Sequence, residues 1–343
     1  MPRKAIPLLA IVGDQTMTWS GKRVLVTGAG GFIGSHLVER LAELGADTRA
    51  LIHYNSVGSW GWLEQSPKKK EIEVILGDVR DQDSLQRAIA GVDTVFHLAA
   101  LIAIPYSYHA PLSYIRTNVE GTANVLQSAI RNNVRLVVHT STSEVYGTAR
   151  QVPISEDHPL QGQSPYSASK IGGDKIAESF YLSYGLPIIT VRPFNTYGPR
   201  QSARAVIPTI VTQALAGTKI HLGNLKPTRD LNYVADTVAG FIAAADSPQA
   251  VGKVINLGTG REVSIADLTS MILKITGKEL PIVTEETRVR PENSEVDRLC
   301  ADNRKARQLL NWQPHHTLED GLAKTIEWLE GNRDRYRPGS YAI

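Results

Sequence analysis

Tyr166 and Lys170 stand four residues apart in Tyr166-Ser167-Ala168-Ser169-Lys170, directly after Pro165. This spacing places a phenol and an ammonium on one face of a helix. A phenol titrates near pH ~10 and is a poor base at neutrality, but a neighbouring ammonium favours the phenolate and draws it toward working range. Such a pair can move a proton at a hydroxyl, and the lysine can also hydrogen-bond a cofactor ribose. A second motif lies far upstream, where Gly28, Gly31 and Gly34 follow the apolar run Val24-Leu25-Val26 at G-x-x-G-x-x-G spacing. Lacking a Cβ, Gly28 and Gly31 allow a tight turn and close approach to a pyrophosphate. Gly34 lets the helix that begins near Phe32 lie against a sheet, and the free N–H groups of its first turn attract phosphate charge.

The elements that would position these groups can be read from apolar periodicity. Short β-rich runs at Val24–Thr27, Thr48–Ile52, Glu73–Leu76, Thr94–Ala99, Arg135–Thr140 and Pro187–Arg192 alternate with helical patterns at His36–Leu44, Ser84–Ile89 and Val119–Ala129. Near-continuous apolar strands separated by helices predict a parallel sheet covered on both faces. The pattern then changes to a helix with apolar positions Val206, Ile207, Ile210, Val211, Ala214 and Leu215, one more strand at Lys253–Leu257, and a mostly helical remainder. The expected fold is therefore α/β: a doubly wound, Rossmann-type parallel sheet with a smaller, mostly helical C-terminal substrate-binding domain. The expected boundaries are an N-terminal extension over 1–20, a dinucleotide-binding domain over 21–198 joined by about 229–262, a cap from 199–228 and 263–335, and a tail over 336–343.

Composition narrows the classes further. A chain of 343 residues can bury a substantial core, and a net charge of +3 with no basic stripe argues against nucleic acid. The single cysteine, Cys300, excludes an intramolecular disulfide and fits a reducing compartment. The apolar patch from Ala5 to Val12 is too short to span a bilayer. A cytoplasmic protein without a membrane segment is expected. No His/Cys/carboxylate cluster has ligand spacing, so no metal is expected.

Beyond the two motifs, the chain carries Gly77-Asp78-Val79, His97-Leu98-Ala99-Ala100, the run Arg192-Pro193-Phe194-Asn195-Thr196-Tyr197-Gly198-Pro199-Arg200, and Arg229-Asp230-Leu231-Asn232-Tyr233-Val234. With these segments the sequence from Gly21 to about Trp328 resembles the extended short-chain dehydrogenase/reductase family, in the branch acting on nucleotide-diphosphate sugars. The resemblance implies a dinucleotide held by Gly28, Gly31, Phe32, Ile33, Gly34, His53, Asp78, Val79, Leu98, Ala99, Ala100 and Pro193, together with Tyr166 and Lys170. Asp78 would hold the adenine amino group. It further implies a nucleotide-sugar substrate gripped by Asn195, Arg204, Arg229 and Arg290. A homodimer is implied too, formed by helices at about Pro111–Asn132 and Tyr166–Tyr184 pairing as a four-helix bundle. The second strand ends in Leu51-Ile52-His53-Tyr54-Asn55, with neither the acid usual for NAD nor an arginine at its tip. NAD is expected from the resemblance, and NADP stays open.

The segment Thr142-Ser143-Glu144 selects among reactions. Thr142 can bridge a sugar O4 and the tyrosine, which serves an epimerase as well as a dehydratase. Glu144 has no task in an epimerase. Oxidising C4 to a ketone acidifies the adjacent C5–H, and a carboxylate in reach can remove that proton before the C6 hydroxyl leaves. The segment resembles the T-[DS]-E of sugar-nucleotide 4,6-dehydratases, with Ser143 where the dTDP-glucose enzymes carry an aspartate acid. The catalytic set is thus Thr142, Ser143, Glu144, Tyr166 and Lys170. Segments such as Ser59-Trp60-Gly61-Trp62 and Arg200-Gln201-Ser202-Ala203-Arg204-Ala205 are similar to the 4,6-dehydratases of legionaminic-acid and related nonulosonate pathways. The expected reaction converts a UDP- or GDP-linked N-acetylglucosamine to its 4-keto-6-deoxy form, with the cofactor recycled. Decarboxylation of UDP-glucuronate and 4-epimerisation remain the alternatives.

Overall fold

The structure, a computed structural model, describes residues 19–336; residues 1–18 of the expected extension over 1–20 and residues 337–343 of the expected tail over 336–343 lie outside the described residues. Seven parallel strands form the central sheet: β1 (Arg23–Thr27), β2 (Asp47–His53), β3 (Ile72–Gly77), β4 (Thr94–His97), β5 (Leu136–Thr140), β6 (Ile188–Pro193) and β7 (Val254–Leu257). Their order is β7-β6-β5-β4-β1-β2-β3. The chain leaves β3 and re-enters beside β1 as β4, so the sheet has its switch point, and hence its crevice, between the ends of β1 and β4.

Alternation along β1 shows why both faces must be covered. Val24 and Val26 enter one apolar cluster with Leu37, Leu41, Val238 and Phe241, whereas Leu25 enters another with Leu85, Val125, Leu126 and Ala177. The first face carries α1 (Phe32–Glu43) and α8 (Val234–Ala245); the second carries α2 (Gln82–Ile89), α5 (Gly121–Arg131) and α6 (Pro165–Tyr184). Helix α8 was not singled out by periodicity, because its apolar residues run nearly all round it, as burial between sheet and neighbouring helices requires. Helix α6 has strong local signals. Ser164 and Ser167 form a reciprocal cap, Pro165 opens the first turn, and Gly185 closes the helix in the left-handed region at φ +67°.

Three expectations need correction. The strand from Thr94 stops at His97: the Leu98 N–H is shared between the Thr27 carbonyl at 3.3 Å and Thr27 Oγ1 at 3.1 Å, and the Ala99 N–H donates to that hydroxyl at 3.1 Å in place of a ladder bond. After α3 (Ile104–His109), the helix expected over 111–132 is interrupted: α4 (Pro111–Tyr114) passes through a π turn (Ile115–Glu120) into α5. Two contacts fix that turn. Asn118 Nδ2 bonds the Leu101 carbonyl and Ser169 Oγ, both at 2.9 Å, and a Cβ on Gly121 would stand 2.8 Å from Val79 Cγ2. The remainder beyond β7 is less helical than its composition suggests. Alongside α9 (Ile265–Thr276), α10 (Arg304–Leu310) and α11 (Leu318–Gly331) it carries short strands at Val263–Ser264, Ile282–Thr284 and Arg298–Leu299. The first and last of these pair with Thr228–Arg229, and the middle one with Ile220–Leu222 behind α7 (Val206–Ala216). No helix of the described residues is long and apolar enough to cross a membrane.

Candidate active site

The carboxyl ends of the strands open into one cavity of about 850 Å³. The turn after β1 contributes Gly28, Gly31, Phe32, Ile33 and Gly34; the end of β2 gives His53, and the segment after β4 gives Leu98 and Ala100. After β5 come Thr142, Ser143 and Glu144; α6 presents Tyr166 and Lys170; the end of β6 adds Pro193 and Asn195. Arg204, Arg229 and Arg290 come in from the C-terminal region. Asp78, Val79 and Ala99 do not line the cavity. Val79 is buried against the Gly121 turn, and Ala99 forms the floor beneath Gly28. The Asp78 carboxylate is engaged by Arg80, which bonds both its oxygens at 3.0 Å and holds its pKa below the usual carboxylate range; His53 Nε2 stands 3.4 Å away.

The glycine turn fits a dinucleotide pyrophosphate. Gly28 has φ +69°, and a Cβ there would stand 2.8 Å from the Ala99 nitrogen. A Cβ on Gly30 would meet the Trp60 carbonyl at the same distance. Helix α1 starts at Phe32 with Gly31 as its N-cap and receives no side-chain cap. The orphan donors of its first turn are left for an anion. Arg200, in the left-handed region at φ +69°, reaches Ser35 Oγ at 3.1 Å and Glu39 at 2.9 Å, tying the loop after β6 to this helix. Trp62 meets Trp328 edge-on at 5.4 Å and serves packing.

The reactive groups converge at the end of β5. Thr142 opens a 3-10 turn (Ser143–Tyr146), its hydroxyl accepting from the Glu144 N–H at 3.3 Å. The same hydroxyl shares a hydrogen bond with the Tyr166 phenol. Burial pushes that phenol well above its ordinary value; Thr142 pulls the other way, while the Glu144 charge adds to the rise. Lys170 does not offset this as its spacing suggests, because its Nζ donates to the Thr140 carbonyl at 2.6 Å. Burial lowers the Lys170 ammonium to about 8, against the pull of Asp174. Glu144 is 8% exposed, and its carboxylate makes no hydrogen bond among the described residues; Tyr166 and Arg229 both feel its charge. It is a carboxylate within the cavity and available for chemistry.

The cationic groups are unequal. Arg229 is buried, bonded to Glu295 Oε1 at 3.1 Å and to the Thr228 carbonyl at 2.9 Å, and burial lowers its pKa. Asp230 anchors this strand by accepting from the Thr259, Gly260 and Ala301 N–H groups at 2.8, 2.9 and 3.0 Å. Arg290 lies 3.4 Å from the same Glu295 oxygen. Arg204 is exposed, its Nε donating to Ser202 Oγ at 3.3 Å. Asn195 Oδ1 is buried without a partner among the described residues, as expected of a group kept for a ligand. Glu295, which gathers both arginines, was missed at the level of sequence; the available signal was an acid five places beyond Arg290. Replacing Arg229 with Lys removes the planar fork but keeps the charge. For the diphosphate-bearing substrate that the resemblance implies, the expected result is a KM raised about tenfold with kcat changed less than about threefold, read by steady-state kinetics.

A doubly wound sheet with a glycine-rich turn at its switch point and a Thr/Tyr/Lys set beside it defines a dinucleotide-dependent oxidoreductase-type fold. Residues 25–325 match the family described as GDP-mannose 4,6 dehydratase, and the chain belongs to this family of nucleotide-sugar 4,6-dehydratases and epimerases. It is 33% identical over 322 residues to the dTDP-glucose 4,6-dehydratase of Streptomyces antibioticus, covering 92% of this chain and 94% of that one. It is 37% identical over 315 residues to the UDP-glucose 4-epimerase of Mycolicibacterium smegmatis, covering 89% and 98%. Among solved structures, the dTDP-glucose 4,6-dehydratase DesIV of Streptomyces venezuelae with NAD and TYD bound superposes with a TM-score of 0.83. That pair shares 32% identity over 92% of this chain and 99% of the other.

Proposed function

We propose that the protein is an NAD-dependent nucleotide-sugar 4,6-dehydratase acting on a UDP- or GDP-linked N-acetylglucosamine. The observation that carries the reading is Glu144: a carboxylate in the cavity wall, two residues from Thr142, free of hydrogen bonds from the described residues. A 4-epimerase needs no such group. NAD fits the cradle formed by Gly28, Gly31 and Gly34 at the uncapped start of α1, with His53, Leu98, Ala100 and Pro193 along the slot. When bound, it supplies the hydride acceptor for C4 and the donor for C6, and the cycle is redox-neutral.

The protein's part is proton movement. Tyr166, assisted by Thr142, takes the proton of the C4 hydroxyl, with the Lys170 ammonium on the same helix face adding positive charge to the site. Glu144 then removes the C5 proton, acidified by the ketone. Ser143 cannot act as a strong acid, so Glu144 delivers the proton to the departing C6 oxygen, with Ser143 orienting it. Once water has left, Glu144 takes a proton from solvent and returns it to C5 as C6 is reduced. Asn195, Arg229 and Arg290 hold the diphosphate side. The N-acetyl substituent at C2 is supported by the likeness of the Trp60 and Arg204 segments to nonulosonate-pathway enzymes.

The test is mass spectrometry after incubation with a panel of nucleotide sugars without added cofactor turnover. The expected product of UDP- or GDP-N-acetylglucosamine is lighter by one water. A product of unchanged mass would favour the 4-epimerase, which the Mycolicibacterium smegmatis relative makes the second reading. Release of CO2 from UDP-glucuronate would favour the decarboxylase. Because Lys170 must be charged and its pKa is about 8, activity should fall as pH rises through about 8. A pH–rate profile flat to pH ~10, the free lysine range, would contradict that role. A homodimer is proposed through a four-helix bundle of α4, the π turn and α5 with α6; Leu112, Ile115, Leu182 and Tyr184 are exposed on these elements, and light scattering checks it.

A further inference from the structure

Helix α6 presents Tyr166, Lys170 and Asp174 at four-residue spacing, so the three share one face. The first two line the cavity and the third does not; it lies one turn further along, with its side chain 5% exposed. Its carboxylate is fully engaged. Oδ1 accepts from His139 Nε2 at 3.2 Å, and Oδ2 from Ser141 Oγ at 2.8 Å and from Arg192 Nη2 and Nε at 2.8 and 3.2 Å. These partners sit on β5, on the residue just beyond β5, and on β6. Arg192 passes the connection on to the Tyr146 hydroxyl at 2.9 Å, which donates to Asn256 Oδ1 on β7 at 2.7 Å.

Ser141 is the informative partner. On one side is Thr140, whose carbonyl accepts from Lys170; on the other is Thr142, whose hydroxyl meets Tyr166. We propose that Asp174 is a positioning residue for hydride transfer: its carboxylate fastens α6 to the end of β5, fixing the Lys170 ammonium and the Thr142 hydroxyl relative to Tyr166. It also supplies a buried negative charge that acts on Lys170. The titratable and charged groups facing that site are His97 on β4, His139 on β5, Arg192 on β6, Tyr166 and Asp174 on α6, and Glu144 beyond β5. Burial keeps both histidines neutral, with His139 donating its Nε2 proton to Asp174 and its Nδ1 left without a partner. Arg192 stays cationic. Although burial opposes it, the Asp174 charge is held by His139, Arg192 and Lys170, and its pKa is about 2.

The inference rests on the reading of Tyr166 and Lys170 as the pair that serves C4 oxidation, a step common to dehydratase and 4-epimerase, so it stands whichever product forms. Asp174→Asn keeps the shape and removes the charge. Losing an anion makes the coupled Tyr166/Lys170 pair release its protons more readily. Both limbs of the pH–rate profile should therefore move to lower pH, by about one unit. The rate at the new optimum should be about tenfold lower with KM within about twofold. Two readouts are used. One is reduced-nicotinamide absorbance on mixing NAD-loaded protein with UDP-N-acetylglucosamine or UDP-glucose. The other uses no sugar: near-ultraviolet tyrosinate titration with Tyr166→Phe as blank, where the midpoint should drop equally. Ser141→Ala, which leaves every charge in place, should lower the hydride-transfer rate about fivefold without moving the profile. A profile and midpoint for Asp174→Asn that superimpose on those of the unaltered protein overturn the proposal. If that variant does not fold, Ser141→Ala decides alone, and an unchanged rate overturns it.

Discussion

Replacing Tyr166 with Phe is expected to slow the appearance of reduced nicotinamide by about 10³-fold, in line with removal of a positioned general base. The change deletes one oxygen from a side chain that is 7% exposed and whose ring sits 6.2 Å from that of Tyr114. The ring and its packing stay, so affinity for NAD and for the nucleotide sugar should remain within about threefold. The lost oxygen is the one that shares a hydrogen bond with Thr142. Stopped-flow absorbance with calorimetric binding checks both halves. Turnover that survives in the variant would assign C4 oxidation to another group.

The second large effect is expected at Glu144. Glu144→Gln keeps size and polarity but removes the base, so product lighter by one water should fall by about 10²–10⁴-fold. C4 oxidation should persist, because Thr142, Tyr166 and Lys170 are untouched. Reduced nicotinamide would then accumulate, its return path to C6 being closed. The two variants separate the halves of the reaction: Tyr166→Phe slows reduction of the cofactor, and Glu144→Gln reduces it and stalls. An unaltered dehydration rate in the glutamine variant would remove Glu144 from the mechanism.

Much of this arrangement was legible in the residues, for reasons that differ by element. The seven strands of the sheet were readable because each is short, apolar and flanked by helical periodicity, and burial on both faces demands that pattern. The glycine turn was readable because Gly28 and Gly34 occupy places where a Cβ has no room, so their identity is fixed by contact. Tyr166 and Lys170 were readable because one helical turn separates them. Less legible were features that depend on distant partners. The π turn at Ile115–Glu120 is held by Asn118 reaching Leu101 and Ser169, which no local period announces. Glu295 is brought onto Arg229 only by the pairing of Arg298–Leu299 with Thr228–Arg229. Asp174 had a visible spacing from Lys170, but its partners come from β5 and β6, and only tertiary structure shows that every oxygen is used.

Those buried polar contacts also indicate where the site is rigid. Removing one member of a buried ion pair such as Asp174–Arg192, at 2.8 Å, costs about 3–5 kcal/mol because the other charge is left uncompensated. Arg204, by contrast, is exposed and bonded only to Ser202 among the described residues, so its removal should leave folding unaffected.

The central claim is that a carboxylate beside the Thr142/Tyr166 pair turns transient C4 oxidation into loss of the C6 hydroxyl. Its most direct measurement is the isotopic content of product formed in deuterated water from UDP-N-acetylglucosamine. The product is expected to have lost one water and to carry solvent deuterium at C5, where Glu144 removes the original proton. A product that keeps the full mass of the sugar and is inverted at C4, with no deuterium at C5, would contradict it.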